Sequence, residues 1–204
     1  MGFYQERIIP HIINVAMRNR ELTPYRRRVV GAAEGRVLEI GVGSGLNLSL
    51  YTPAVKEVLA LEPVPRLIRM AQHAASDASA KVTFIEGTAE VIPVSDKSID
   101  SVVMTWTLCS IPAAQQSLME MRRVLKSGGQ LLFVEHGRAP EANVRKWQDR
   151  LNPAWRRFAG GCNLNRPIAA LIEGAGFRIA HLMTGYMKGP KLMTFIYEGR
   201  ACAG

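Results

Sequence analysis

Three glycines at alternating positions, directly after a short apolar run, constrain this chain more than any other feature. The stretch is Val37-Leu38-Glu39-Ile40-Gly41-Val42-Gly43-Ser44-Gly45-Leu46-Asn47. Val37 to Ile40 is apolar but for Glu39 and has a β-branched residue at each end, so it reads as a buried strand that runs into a tight turn. Residues without Cβ let backbone approach a ligand closely, and a helix expected after the turn would add unpaired N–H groups. The dinucleotide fingerprint G-x-G-x-x-G needs a small residue at Leu46, and here the pattern is G-x-G-x-G preceded by a carboxylate. Glu39 would repel a pyrophosphate and suits the ammonium of a methionine moiety. The turn therefore points to S-adenosylmethionine (SAM), with Glu39, Gly41, Gly43, Gly45 and Asn47 as cofactor residues.

The rest of the chain alternates strand and helix. Residues 3 to about 19 read as a helix with an apolar face of Ile8, Ile9, Ile12, Ile13 and Ala16, and Pro24 starts a second helix to Gly31. This segment reads either as a lid over the glycine turn or as packing on a sheet edge. Residues 56–62 form a second strand ending in Glu62, 17 residues after Gly45, where a doubly wound fold places the acid that binds ribose hydroxyls; Pro63 follows it. A helix begins at Pro65, and a third strand (81–86) runs into Gly87-Thr88-Ala89-Glu90. There the Thr88 and Ala89 backbone faces adenine and Glu90 its amino group. Residues 99–104 are a nearly all-apolar fourth strand, as a central parallel strand should be, and it leads into Thr105 and Trp106, expected to flank the sulfonium.

A helix over 115–126, closed by Ser127-Gly128-Gly129, and a fifth strand over 130–135 with His136 at its carboxyl end come next. Residues 147–167 read as an irregular span carrying Trp147, Trp155 and Gly160-Gly161-Cys162-Asn163-Leu164-Asn165-Arg166. A helix from Pro167 to about Ala175 and two late strands, 177–183 and 192–197, joined around Gly189-Pro190, finish the chain. The expectation is a single domain over 1–204: a helical cap (1–31), a cofactor core (35–135), and an acceptor-side insert with the last strands (136–204).

At 204 residues and 48% apolar composition one good core fits, and a second large domain does not. The formal charge of +9, with arginine clusters near the N-terminus and in the second half, suits either a solvated face or contact with anionic lipid or nucleic acid. Cys109, Cys162 and Cys202 are odd in number and lack C-x-x-C spacing, which indicates neither a disulfide framework nor a metal site; Cys109 reads as a small buried hydrophobe. With no apolar run of ~20 residues and no signal peptide, the expected compartment is the cytoplasm, with peripheral membrane contact left open.

The strand–turn–helix alternation, the glycine turn with Glu39 and Glu62, Ser98-Ile99-Asp100 and Arg123 to Gly129 together resemble the class I SAM-dependent methyltransferases over about residues 35–135. A narrower set resembles the methyltransferase-like 7 family, the animal thiol S-methyltransferases: Thr107 to Ile111, Val134-Glu135-His136, Trp147-Gln148, Leu151 to Trp155 and Gly161 to Arg166. The hydrophobic N-terminal anchor of that family has no counterpart in this sequence. Bacterial relatives of this type also look similar to phospholipid N-methylases. The resemblance implies an α/β fold, a doubly wound seven-stranded sheet of order 3-2-1-4-5-7-6 with strand 7 antiparallel.

The acceptor expected is a small thiol or sulfide, with S-adenosylhomocysteine as coproduct. Direct transfer from SAM needs alignment more than a base, and a thiol of pKa near 8.5 is partly ionised at neutral pH. His136 is the candidate for holding or deprotonating the acceptor, with Asn163 and Arg166 next. Rival acceptors are the amine head group of a membrane phospholipid, approached through the basic N-terminal helix, and RNA, against which stands the lack of interleaved aromatic residues.

Overall fold

The computed structural model describes residues 15–203. Seven strands form one sheet of order β3-β2-β1-β4-β5-β7-β6, as the family resemblance implied. They are β1 (Gly35–Ile40), β2 (Val55–Glu62), β3 (Lys81–Glu86), β4 (Ile99–Thr105), β5 (Leu125–His136), β6 (Phe177–Tyr186) and β7 (Phe195–Ala203). β1 pairs in parallel with both β2 and β4, while β7 runs antiparallel to β5 and β6. Strand order reverses between β1 and β4, so their carboxyl ends open a crevice for a ligand.

The helices are α1 (Thr23–Gly31), α2 (Pro65–Ala74), α3 (Ala114–Val124), α4 (Ala142–Phe158), α5 (Ile168–Gly174) and the single turn α6 (Lys191–Thr194). In α3 the buried residues Ala114, Ser117, Leu118, Met121 and Val124 recur at three and four, which lays one stripe on the sheet. The largest core cluster joins that stripe to Leu38, Ile40, Met104 and Phe133 on one face of the sheet; a second, around Val37, Val58 and Val103, fills the other. Each such side chain contributes roughly 1.5–3 kcal/mol of burial. α1 is tied to the sheet by a two-point ion pair, Arg28 to Glu198 on β7 at 2.7 Å for each bond, which fixes the register of its other arginines.

Several boundaries differ from the sequence reading. The glycine turn leads into one 3₁₀ turn, Leu48–Leu50, and no α-helix follows it. Only nine residues separate Gly45 from the start of β2 at Val55, and Pro53 interrupts them. α3 ends at Val124, and β5 starts at Leu125 because Ile99 pairs with Leu125 before the register shifts past the glycine pair.

The span expected to be irregular, 147–167, is overlapped by the 17-residue helix α4, which begins at Ala142 and runs to Phe158. Val144, Trp147, Leu151, Trp155 and Phe158 recur in it at helical spacing, but Pro153 reads as a break in that pattern, and only Val144 and Gln148 are buried. Gln148 anchors it: Nε2 donates to the carbonyls of Gly137 (3.1 Å), Leu164 (2.9 Å) and Leu192 (3.1 Å), and Oε1 accepts from Ala139 N–H (3.0 Å). The last strand is Phe195–Ala203 rather than 192–197, since Pro190 caps the short α6 and Leu192 lies in that turn. Of the expected N-terminal helix, residues 15–17 are helical and residues 3–14 lie outside the described residues.

Candidate functional site

The crevice at the β1/β4 switch is a cavity of about 460 Å³, within the range of small-molecule sites. Ten of the residues expected to hold the cofactor line it: Gly41, Gly43, Asn47, Glu62, Pro63, Thr88, Ala89, Glu90, Thr105 and Trp106. Four separate segments converge here because the parallel strands β1 to β4 bring their carboxyl ends to one edge. Gly41 has φ +67°, and a Cβ there would stand 2.6 Å from Thr107 Cγ2, so the turn after β1 closes on the turn after β4 only without a side chain.

Glu62 ends β2 with both oxygens engaged by turns that face the cavity. Oε2 accepts Gly43 N–H at 3.0 Å and Oε1 accepts Val64 N–H at 3.1 Å. Burial nevertheless raises its pKa above the ordinary carboxylate range, against the lowering by those two bonds.

Glu39 lies beneath the cavity. It is 1% exposed, with Oε1 accepting from Asn47 Nδ2 (2.8 Å) and Oε2 from the Tyr51 hydroxyl (2.8 Å). Desolvation pushes its pKa up to about 7, opposed by those two bonds and by the charge of Arg26. The network continues upward: Arg26 Nη1 donates to Asn47 Oδ1 (2.9 Å) and Thr105 Oγ1 (3.2 Å), and its guanidinium lies 4.8 Å from the Trp106 ring centre. Burial lowers the Arg26 pKa to about 10, so it keeps its charge at neutral pH. Gly45 is not a lining residue; it faces Ala71 and Ala74 of α2.

Sequence reasoning missed Arg26, Tyr51 and Glu135. Arg26 belongs to the run Arg26-Arg27-Arg28, of which it alone is buried, and nothing local separates the three. Tyr51 carried no signal at all.

Glu135, fully buried on β5, accepts the backbone N–H groups of Thr107 (2.6 Å), Leu108 (2.9 Å) and Cys109 (3.4 Å). It holds the turn in which Trp106 takes φ +51°, a strained value for a side chain of that size. Burial raises the Glu135 pKa to about 7 against these bonds.

The three residues proposed for the acceptor do not line the cavity and sit behind its 107–111 wall. Asn163 Nδ2 donates to Cys109 O (2.8 Å) and Gly161 O (3.1 Å). Arg166 donates to Leu108 O and, at 2.6 Å, to Ile111 O. His136 Nε2 lies 3.0 Å from Cys162 Sγ, and Cys109 Sγ completes a group whose ligand atoms are all within 4.8 Å of one another. The structure thus assembles two of the three cysteines around His136.

These features match known proteins. The methyltransferase-domain family model covers residues 38–133. Rat thiol S-methyltransferase TMT1B is 34% identical over 165 residues, spanning 78% of this chain and 67% of that protein. Human thiol S-methyltransferase TMT1A is 32% identical over 168 residues, 80% and 68% of the two chains. This chain belongs to the TMT1 family of SAM-dependent methyltransferases. A methyltransferase of Bacillus halodurans superposes with TM-score 0.69 at 19% identity, covering 88% of this chain and 95% of that one. A SAM-dependent methyltransferase of Methanosarcina mazei gives 0.66 at 20%, with 84% and 94% covered. In this TMT1 family member SAM is the methyl donor. The cavity fits it: the glycine turn leaves backbone bare, and Glu62 presents a carboxylate at its rim.

Proposed function

We propose that this TMT1 family member methylates the sulfur of a small thiol or of sulfide. The observation that carries the reading is that, among the described residues, no side chain on the acceptor side of the cavity is an available base. There the wall is Trp106, Thr107, Ser110, Ile111, Pro112 and Gly160, and none of these side chains takes up a proton near neutral pH. Glu39 is turned away to Asn47 and Tyr51. Glu62 ends β2 and Glu90 lies in the turn after β3, where the ribose and adenine are assigned. An acceptor that must lose a proton from nitrogen or carbon gets no help from such a wall, whereas a thiol of pKa near 8.5 supplies its own thiolate. The names of the relatives, thiol S-methyltransferases, support the same acceptor.

SAM supplies an activated methyl group when bound. The chain's own contribution is position and exclusion of water, which can supply roughly 7–11 kcal/mol of the barrier. Arg26 and Asn47 fix Thr105, and Glu135 fixes the 107–109 backbone, so Trp106 has one place to stand at the reacting end. Asn163 and Arg166 act as positioning residues: they hold the carbonyls of Leu108, Cys109 and Ile111 and so set the distance of the acceptor wall.

The test is release of S-adenosylhomocysteine from purified protein with sulfide, methanethiol, phosphatidylethanolamine vesicles and a demethylated quinol offered separately. Turnover on sulfide and methanethiol is the expected outcome. Turnover on the vesicles or the quinol alone refutes the thiol reading.

A further inference from the structure

Cys109, His136 and Cys162 come from three distant parts of the chain, and the fold brings them together with no counterpart in the cofactor chemistry above. Cys109 follows β4, His136 ends β5, and Cys162 lies in the loop after α4. Cys109 is 3% exposed and His136 9%. His136 Nε2 stands 3.0 Å from Cys162 Sγ, Trp155 Nε1 donates to the same sulfur at 3.4 Å, and the three ligand atoms lie within 4.8 Å of one another.

A tetrahedral zinc with sulfur at 2.3 Å and nitrogen near 2.05 Å separates its ligands by about 3.6 Å (S to N) and 3.8 Å (S to S). The pair at 3.0 Å must open slightly and the widest separation must close by about 1 Å, both within side-chain rotation. Two cysteines and one histidine are the donor set of zinc sites that keep a fourth position for substrate. The other imidazole nitrogen, Nδ1, is buried with no hydrogen-bond partner among the described residues, so no neighbour there fixes which ring nitrogen carries the proton.

The place matters as much as the donors. Cys109 Sγ lies 3.5 Å from Ser110 Oγ and 3.7 Å from Trp106 O, and Ser110, Trp106 and Gly160 all line the cofactor cavity. The cluster is therefore one side-chain layer behind the acceptor wall. We propose that Cys109, His136 and Cys162 form a three-ligand zinc site whose fourth position takes the sulfur of the acceptor, an inference that rests on the thiol reading for its last clause only.

Charge favours the arrangement. Zn²⁺ with two thiolates and a neutral imidazole is uncharged, which suits a buried site. Zinc binds the thiolate form of cysteine, so the ion displaces the thiol protons as it enters. The acceptor thiol loses its proton to solvent as its sulfur binds zinc, leaving one negative charge beside the sulfonium. In transfer, an electron pair of the acceptor sulfur forms the new bond to the methyl carbon. The pair of the breaking C–S bond stays on the donor sulfur, and S-adenosylhomocysteine and a neutral thioether leave. Zinc keeps its oxidation state, and the Arg166 guanidinium, close enough to both cysteines to feel their charge, offsets the negative charge of the state in between.

The experiment is metal analysis of the full chain purified without chelator, followed by cobalt substitution. One zinc per chain is expected, with thiolate-to-cobalt charge-transfer bands and tetrahedral d–d bands in the cobalt form. Cys109→Ser, Cys162→Ser and His136→Ala should each lose the metal while binding S-adenosylhomocysteine within about threefold of wild type, which shows that they fold. Should a variant fail to fold, chelator treatment of the wild type serves instead: it should release zinc and expose two titratable thiols together. A wild-type protein that binds no zinc after incubation with it, or that carries a Cys109–Cys162 disulfide, overturns the site.

Methanethiol added to the cobalt form should shift the d–d bands. An unshifted spectrum overturns the acceptor clause. Thiol turnover by a zinc-free enzyme would sink the acceptor clause and leave the thiol reading standing; zinc binding without thiol turnover would sink the thiol reading and that clause with it, and leave the three-ligand site.

Discussion

Replacing Glu62 by Gln keeps the shape of the side chain and removes its charge. In the structure one oxygen accepts Gly43 N–H at 3.0 Å and the other Val64 N–H at 3.1 Å. Whichever oxygen becomes the amide nitrogen, one backbone N–H then faces a donor, at a cost of about 1–3 kcal/mol to the fold. On the assignment of the ribose to Glu62, the same substitution also removes a charge-assisted bond to the ribose hydroxyls, worth roughly 1.5–3 kcal/mol. At ~1.4 kcal/mol per decade, Glu62→Gln should weaken binding by about 10- to 150-fold.

The assay is calorimetric titration with S-adenosylhomocysteine, which does not turn over, beside adenine alone, which has no ribose. S-adenosylhomocysteine affinity should fall and adenine affinity should stay. Binding of S-adenosylhomocysteine within about threefold of wild type would refute the assignment of the ribose to Glu62. A parallel loss for adenine would mean that the glycine turn had collapsed and that the effect was structural. Because burial raises the Glu62 pKa, wild-type affinity should also weaken on acidification earlier than an ordinary carboxylate would allow.

Two further outcomes follow from the same geometry. Glu39 and Glu135 have pKa values raised from 4.5 to about 7 by burial, so between those values the folded state holds more protons than the unfolded one. Their contribution to stability is full below about pH 4.5 and is lost as pH rises through 7. Urea midpoints should show that slope, and Glu39→Gln should flatten it; an unchanged slope in that variant would show that Glu39 ionises normally. Gly45→Ala places a Cβ 2.9 Å from Ala74 Cβ and 3.0 Å from Ala71 Cα at φ +83°, so it should lose about 2–4 kcal/mol in urea denaturation. A loss below about 1 kcal/mol would show that α2 moves aside freely.

The division of information runs along sequence separation. Strand positions, the glycine turn and the carboxylate at the end of β2 were legible because a buried parallel strand is an unbroken apolar run and its carboxyl end is where polar residues cluster. That reading placed ten expected cofactor residues on one cavity, while the sheet order, also as expected, came from the family resemblance. It failed where the local signal misleads: Pro153 interrupts the apolar period of α4 without ending the helix, and a helix after Gly45 has no room before β2.

The sequence by itself determined the donor and the fold, since three alternating glycines after a strand, with Glu39 before and Glu62 beyond, admit few ligands. Only the tertiary structure decided the rest. It chose Arg26 from three consecutive arginines by turning that one inward onto Asn47 and Thr105, and it set Tyr51 under Glu39. It moved His136, Asn163 and Arg166 behind the acceptor wall and gathered Cys109 and Cys162 around His136 across 53 residues of chain. No spacing rule reaches such a group, because its members meet through sheet order and loop packing, and those are set by burial summed over the whole core.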